Sequence, residues 1–192
     1  MRAAHLMSVV FNPMTNPVIA FSLLLSAKHA IDTGRIVLII VVAIAFASII
    51  PSAYVVWLWQ AGGVPTMDID EKRKRMRPLI VGILSYVIGY LLLLWLDAPN
   101  LAVGLMFCYI TNTLLVLTIT RWWKISIHAA GVSGPLVALS YQFGVVVLPF
   151  YALVILVGAS RVILGKHTPG QVIAGALGGI ALTAFQLNLL FL

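Results

Sequence analysis

The run from residue 36 to residue 59, "IVLIIVVAIAFASIIPSAYVVWLW", contains no charged side chain, and it constrains this chain more than any other stretch. A helix rises about 1.5 Å per residue, so a run of this length reaches across a hydrocarbon core about 30 Å thick while bonding its own backbone. Comparable apolar runs occupy residues 7–26, 79–95, 101–119 and 172–192. Only 9% of the 192 residues are charged and mean hydropathy is +1.10, whereas a soluble domain carries about 25% charged residues. The chain has too little polar area to cover itself in water. The pattern predicts an all-α, polytopic transmembrane helix bundle, a single integral membrane domain over residues 1–192, with the lipid bilayer as its surroundings. The net charge of +7 points to anionic headgroups or anionic substrates. Nucleic acid is not an expected partner.

Breakers divide the apolar runs. Pro13 and Pro17 predict a first helix that is broken or kinked, with Asn12 and Asn16 serving turn chemistry beside them. "DAPN" at residues 97–100 predicts a tight turn. Trp57, Trp59, Trp95, Trp122 and Trp123 fall near segment ends, where interfacial anchors sit. His5 and His29, isolated near segment ends, read as interfacial too. Cys108, the single cysteine, lies inside an apolar run and reads as a packing residue. Asn112 and Thr113, within a span, are placed to bond across helices. Residues 128–161 are ambiguous. At about 1.5 Å per residue they make about 50 Å of helix, more than one crossing and enough for a short hairpin turning near "YQFGVVVLP". Hydropathy therefore allows six spans or seven.

The ionisable residues gather at three boundaries: "DIDEKRKRMRP" (68–78), "RWWKISIHAAG" (121–131) and "GASRVILGKHTPGQ" (158–171). Basic loops are topological signals, and "EKRKRMR" qualifies as one. Topology does not account for His128 and His167, which each stand against an apolar helix start. Arginine matches phosphate oxygens and lysine supplies a point charge. A histidine of near-neutral pKa attacks phosphorus or moves a proton, so two of them suit a nucleophile and an acid. An oxyanion site results.

These residues resemble a known family. "SRVILGKHTPGQ" is similar to the third signature of the type 2 phosphatidic acid phosphatase superfamily, S-R-x5-H-x3-D, with Ser160, Arg161 and His167 in place. "ISIH" resembles the second, P-S-G-H, through Ser126 and His128, and "KRKRMRP" resembles the first, K-x6-R-P, through Arg77 and Pro78. The three motifs occur in the family's order between residues 70 and 171. The resemblance implies His167 as the nucleophile forming a phosphohistidine and His128 as the acid for the leaving alcohol. It implies Arg161 and Arg77 on the phosphate oxygens and Ser126 as a further donor. Lys72, Lys74 and Lys124 are added candidates for the phosphate. It implies no metal and no cofactor. The substrate would be a membrane lipid phosphate of the phosphatidate or isoprenyl diphosphate class.

Departures from the signatures bear on chemistry. Gln171 stands where the third motif has Asp, and it can orient His167 but offers no charge to an imidazolium. Asp70 stands where the first motif has Lys, and Ile125 and Ile127 replace Pro and Gly. The alternative function is thus a member of weak or lost catalysis that binds phospholipid headgroups or scaffolds membrane partners. Joining His128 to His167 requires an even number of crossings between them, so the resemblance implies the hairpin and about seven spans. It also leaves Lys28, Asp32, Arg35 and Asp97 on the opposite side. The positive-inside rule would put the site in the cytoplasm of a prokaryotic cell bounded by this membrane, whereas many bacterial family members face outward.

Overall fold

A computed structural model describes residues 1–26 and 32–192, and every regular element among them is helical. Lys28 and His29 lie outside the described residues. The break expected at the early prolines is a full interruption. α1 (Arg2–Val10) stops before Pro13, and α2 (Asn16–Ser26) restarts with Pro17 in its first turn, where a missing N–H goes unnoticed. Between them the Met14 N–H donates to Asn12 Oδ1 (3.0 Å) and Thr15 Oγ1 donates to Val10 O (2.7 Å). Asn16 does more than turn chemistry, since its amide donates to Gly131 O (3.1 Å) on a distant helix.

α3 (Thr33–Ile44) begins at Asp32, whose carboxylate accepts from the Gly34 and Arg35 N–H groups. It continues through a π-helical turn (Ala45–Ile49) into α4 (Ile50–Gln60). Pro51 accounts for the wide turn, because it has no N–H to donate and its ring presses on the carbonyl four residues back. The Phe46 carbonyl within that turn accepts instead from Ser85 Oγ (2.7 Å).

α5 (Lys72–Trp95) and α6 (Asn100–Thr120) pack together across a short turn in which Asp97 takes a φ of 44°. α7 (Ile127–Phe143) ends at Gly144, whose φ of 67° suits a residue without a Cβ. A 3-10 stretch (Gly144–Tyr151) then leads into α8 (Ala152–Ile163), which packs back on α7. Residues 127–163 are therefore two packed helices rather than one straight rod. α9 (Pro169–Leu190) lies against α6, α7 and α8.

Small residues let α7 and α9 approach most closely. A Cβ on Gly175 would stand 2.4 Å from Ser126 O, and one on Gly179 would stand 2.3 Å from Ser133 Oγ. Hydrogen bonds extend the contact between helices: Ser133 Oγ donates to Ala176 O (3.0 Å), and Asn112 Nδ2 on α6 donates to Thr183 Oγ1 (2.9 Å). The packing brings the first turn of α7 beside the first turn of α9.

Five helical stretches among the described residues are long and apolar enough to cross a membrane: Thr33–Gln60, Lys72–Trp95, Asn100–Thr120, Ile127–Ile163 and Pro169–Leu190. Apolar side chains are exposed along them, Trp57, Trp59 and Trp95 among these; Trp122 and Trp123 are exposed in the connection after α6, and Cys108 is buried. The chain is an integral membrane protein built as a helical bundle.

Candidate functional site

The spacing of the 160–171 stretch follows from two helix termini set end to end. α8 ends in a Schellman motif: Gly165 takes a φ of 65°, its N–H donates to Val162 O (2.9 Å), and the Lys166 N–H donates to Arg161 O (3.0 Å). This reversal folds His167 back over the last turn of α8, where its own N–H also donates to Arg161 O (3.2 Å). Thr168 then starts α9 with a capping box. Its hydroxyl accepts from the Gln171 N–H (3.4 Å), and Gln171 Oε1 accepts from the Thr168 N–H (3.2 Å).

Gln171 has a second task. The Thr168 N–H fixes which end of the amide is oxygen, and the same Oε1 stands 3.1 Å from His167 Nδ1. An amide oxygen only accepts, so Nδ1 carries the proton and donates. His167 Nε2 is left with its lone pair and has no hydrogen-bond partner among the described residues. Burial first, and then the Arg75 and Lys124 cations, lower the His167 pKa from 6.5 to about 4, against a small upward push from the Gln171 hydrogen bond. The ring is neutral at pH 7, as a nitrogen nucleophile requires.

That ring lines a cavity of about 140 Å³ together with His128, Arg75, Asp68, Ser48 and Tyr86. His128 is in the first turn of α7, and Arg75 is in the first turn of α5. His128 and His167 are thus at one end of the bundle and on one cavity, although 39 positions of chain separate their numbers (167 − 128). His128 is 9% exposed, His167 6% and Arg75 5%.

Arg161, in the last turn of α8, is 1% exposed. A buried guanidinium requires a partner, and Asp68 supplies it: both carboxylate oxygens accept from Arg161 Nη2 (2.9 and 2.8 Å), while Arg161 Nη1 donates to Ser8 Oγ (2.7 Å). Burial pushes the Asp68 pKa up, but the Arg161 guanidinium outweighs it and holds the carboxyl below its usual range. Asp70, two residues on, accepts from Lys124 Nζ (3.1 Å) and from Lys166 Nζ. Its pKa is also lowered, burial being outweighed by those two lysines.

The remaining sequence candidates fall elsewhere. Arg77 is exposed and does not reach the cavity, a correction to the sequence expectation. Arg75 stands there instead, because the buried stripe of α5 runs Arg75, Leu79, Gly82, Ser85, Gly89 and Leu93 at helical spacing and leaves Arg77 on another face. That stripe was the signal in the sequence that could have located it. Ser126 is buried, but its hydroxyl caps α7 by accepting from the Ala129 N–H (3.3 Å), and it is not on the cavity wall. Lys72 donates to Trp122 O (3.2 Å), and Lys74 pairs with Glu71 (2.8 Å) at the surface, so both are away from the histidines. Ser8 joins the site without having been expected there, while Asp68, expected beside the adjacent basic run, pairs instead with Arg161, and Lys166 pairs with Asp70. No cluster of three metal-ligating side chains occurs among the described residues.

The cavity holds a neutral imidazole with a free lone pair, a second imidazole and a guanidinium whose Nη1 lacks a hydrogen-bond partner among the described residues. Such a set can attack, protonate and neutralise a phosphoryl group. No family model, curated protein or solved structure matches this chain.

Proposed function

We propose that this protein is a lipid phosphate phosphatase of the type 2 phosphatidic acid phosphatase kind, acting on a phosphomonoester or diphosphate of a membrane lipid in a prokaryotic cytoplasmic membrane. The observation that carries the proposal is His167: its Nδ1–H is tied to Gln171 and its Nε2 lone pair is free on the same cavity as His128 and Arg75. The α7–α8 hairpin supports an even number of crossings between His128 and His167, as that meeting requires.

In the reaction the Nε2 lone pair forms the N–P bond as the P–O bond to the lipid breaks. His128 enters this step as an imidazolium and gives its proton to the departing oxygen, becoming the neutral imidazole. Arg75, on the cavity wall, balances the charge on the phosphoryl oxygens, and Arg161 adds to it where Asp68 gives way. Water then attacks the phosphohistidine, His128 takes back a proton, and phosphate leaves with the N–P electrons returned to His167.

Purified protein in detergent is offered phosphatidate and farnesyl diphosphate in the presence of a chelator. Phosphate release is expected, falling by at least about 10³-fold in His167→Ala and by about 10²–10⁴-fold in His128→Ala. Equal rates in wild type and His167→Ala would refute the mechanism. The second reading, a headgroup-binding member without turnover, is favoured by the uncharged Gln171 and by the carboxylate of Asp68 on Arg161. Lipid phosphate binding with no phosphate release would select it.

A further inference from the structure

Residues 61–71 join α4 to α5 without helix or strand, and they place Met67, Asp68 and Ile69 on the cavity wall. The connection is held by its acids. Asp68 sits on Arg161, and Asp70 sits between Lys124 and Lys166. Both lysines come from the loops that lead into the histidine-bearing helix starts, Lys124 before α7 and Lys166 before α9. The two carboxylates therefore occupy two cationic seats on either side of the His167 segment.

The fit of Asp68 is incomplete. Two buried guanidinium donors, Arg161 Nε and Arg75 Nη1, have no hydrogen-bond partner among the described residues. Leaving a buried donor unpaired is costly, and more so when it is charged. A carboxylate brings two acceptor oxygens, whereas a phosphoryl group brings three and carries more charge. The seat is better matched to the larger anion than to its present occupant.

We propose that the Asp68–Asp70 segment is a tethered substitute for substrate, its two carboxylates filling the Arg161 seat and the Lys124–Lys166 seat, and that the ligand displacing it carries two linked phosphoryl groups. This rests on the phosphatase reading for the identity of the anion. Two residues of chain place the Asp68 and Asp70 Cα atoms no more than about 7 Å apart, so a ligand that fills both seats must carry its two anionic groups on a short link. A single phosphoryl group displaces one acid and leaves the other clamped. The linked diphosphate removes both together and gains from linkage what the tethered acids now hold.

The full chain in detergent micelles is titrated by calorimetry with inorganic pyrophosphate and, separately, with orthophosphate. Pyrophosphate is expected to bind at least about tenfold more tightly. Asp68→Asn and Asp70→Asn should each tighten both anions by about tenfold, since each empties one seat. Equal affinities for the two anions would overturn the proposal. So would an Asp68→Asn chain that binds them no better, because Asp68 would then be a fixed counter-ion of Arg161. An Ile69→Cys chain gives a readout that keeps both acids. Ile69 is buried, and so is the native Cys108. Saturating pyrophosphate should speed thiol labelling at position 69 as the segment lifts, and an unchanged labelling rate would also overturn the proposal. Phosphate release is not part of these measurements, so a failure of the catalytic reading shows separately, as lipid diphosphate left unhydrolysed by a chain that still binds pyrophosphate.

Discussion

The bundle carries an Arg–Asp pair at each end, and the two are close in length and opposite in setting. Arg161–Asp68 measures 2.8 Å, with side chains 1% and 34% exposed; Arg35–Asp97 measures 2.7 Å, with side chains 43% and 86% exposed. Arg35 also donates to Leu96 O (2.9 and 2.6 Å), satisfying a carbonyl where α5 ends. It is a surface clasp on a turn. Arg161 is enclosed by helices, and its charge is felt by two histidines and a second buried arginine. Distance alone would rank the pairs as equals. Burial separates them, since a charge withdrawn from water depends on its partner far more than one still hydrated.

The largest effect expected from this contrast is on stability. Arg161→Ala should lower it by about 3–5 kcal/mol, the usual result of removing one member of a buried pair. Arg35→Ala should cost about 1 kcal/mol or less. Unfolding of both variants in one detergent checks this, and equal losses would dissolve the comparison. A glycine at the middle of α9 and one at the α7 terminus should differ in kind. Gly179→Ala puts a Cβ 2.3 Å from Ser133 Oγ, and the overpacking should cost about 1–3 kcal/mol and reduce lipid phosphate hydrolysis by shifting α7 against α9. Gly144 has nothing within 4 Å of an added Cβ, but its φ is positive. Gly144→Ala should therefore lower stability while leaving turnover unchanged, and an equal loss of turnover in both variants would break the distinction.

Acid sharpens the contrast further. The folded His167 pKa of about 4 lies below its ordinary 6.5. Between those values the unfolded chain takes up a proton that the folded chain refuses. The contribution to stability is complete above about pH 6.5 and is lost as pH falls towards 4. Unfolding of His167→Asn should accordingly be less sensitive to acid across that window than unfolding of the wild type. The smallest expected change is in Gln171→Asp. A carboxylate beside Nδ1 favours the imidazolium, so the acid limb of the rate profile should move to higher pH. A limb that stays in place would show that residue 171 does not govern the ring.

Much of this was legible in the sequence, and the reasons are local. The spans could be read because a membrane demands length and apolarity from each segment separately. The break at Pro13 and Pro17 and the turn at residues 97–100 could be read because proline and turn residues act on their own backbone. His128, His167 and Arg161 were expected together through the resemblance to the phosphatase signatures, and of these only Arg161 and His167 have a spacing set by helix ends nearby in the chain. The capping box is local too, since Thr168 and Gln171 are three residues apart. Arg75 was not found, since a motif spacing counted back from Pro78 favoured Arg77. Asp68 was not found because its partner is 93 positions away.

The sequence by itself determined a helical membrane protein, the identity of its two striking histidines' neighbours in the chain, and where helices start and stop, because these depend on residues within a turn or two of one another. Only the tertiary structure decided which arginine of the basic run is buried, which acid sits on Arg161, and that Gly175 and Gly179 draw the two histidine-bearing helix starts together. Those outcomes depend on packing between helices distant in the chain, where a rotation of two residues moves a guanidinium from the cavity to the surface.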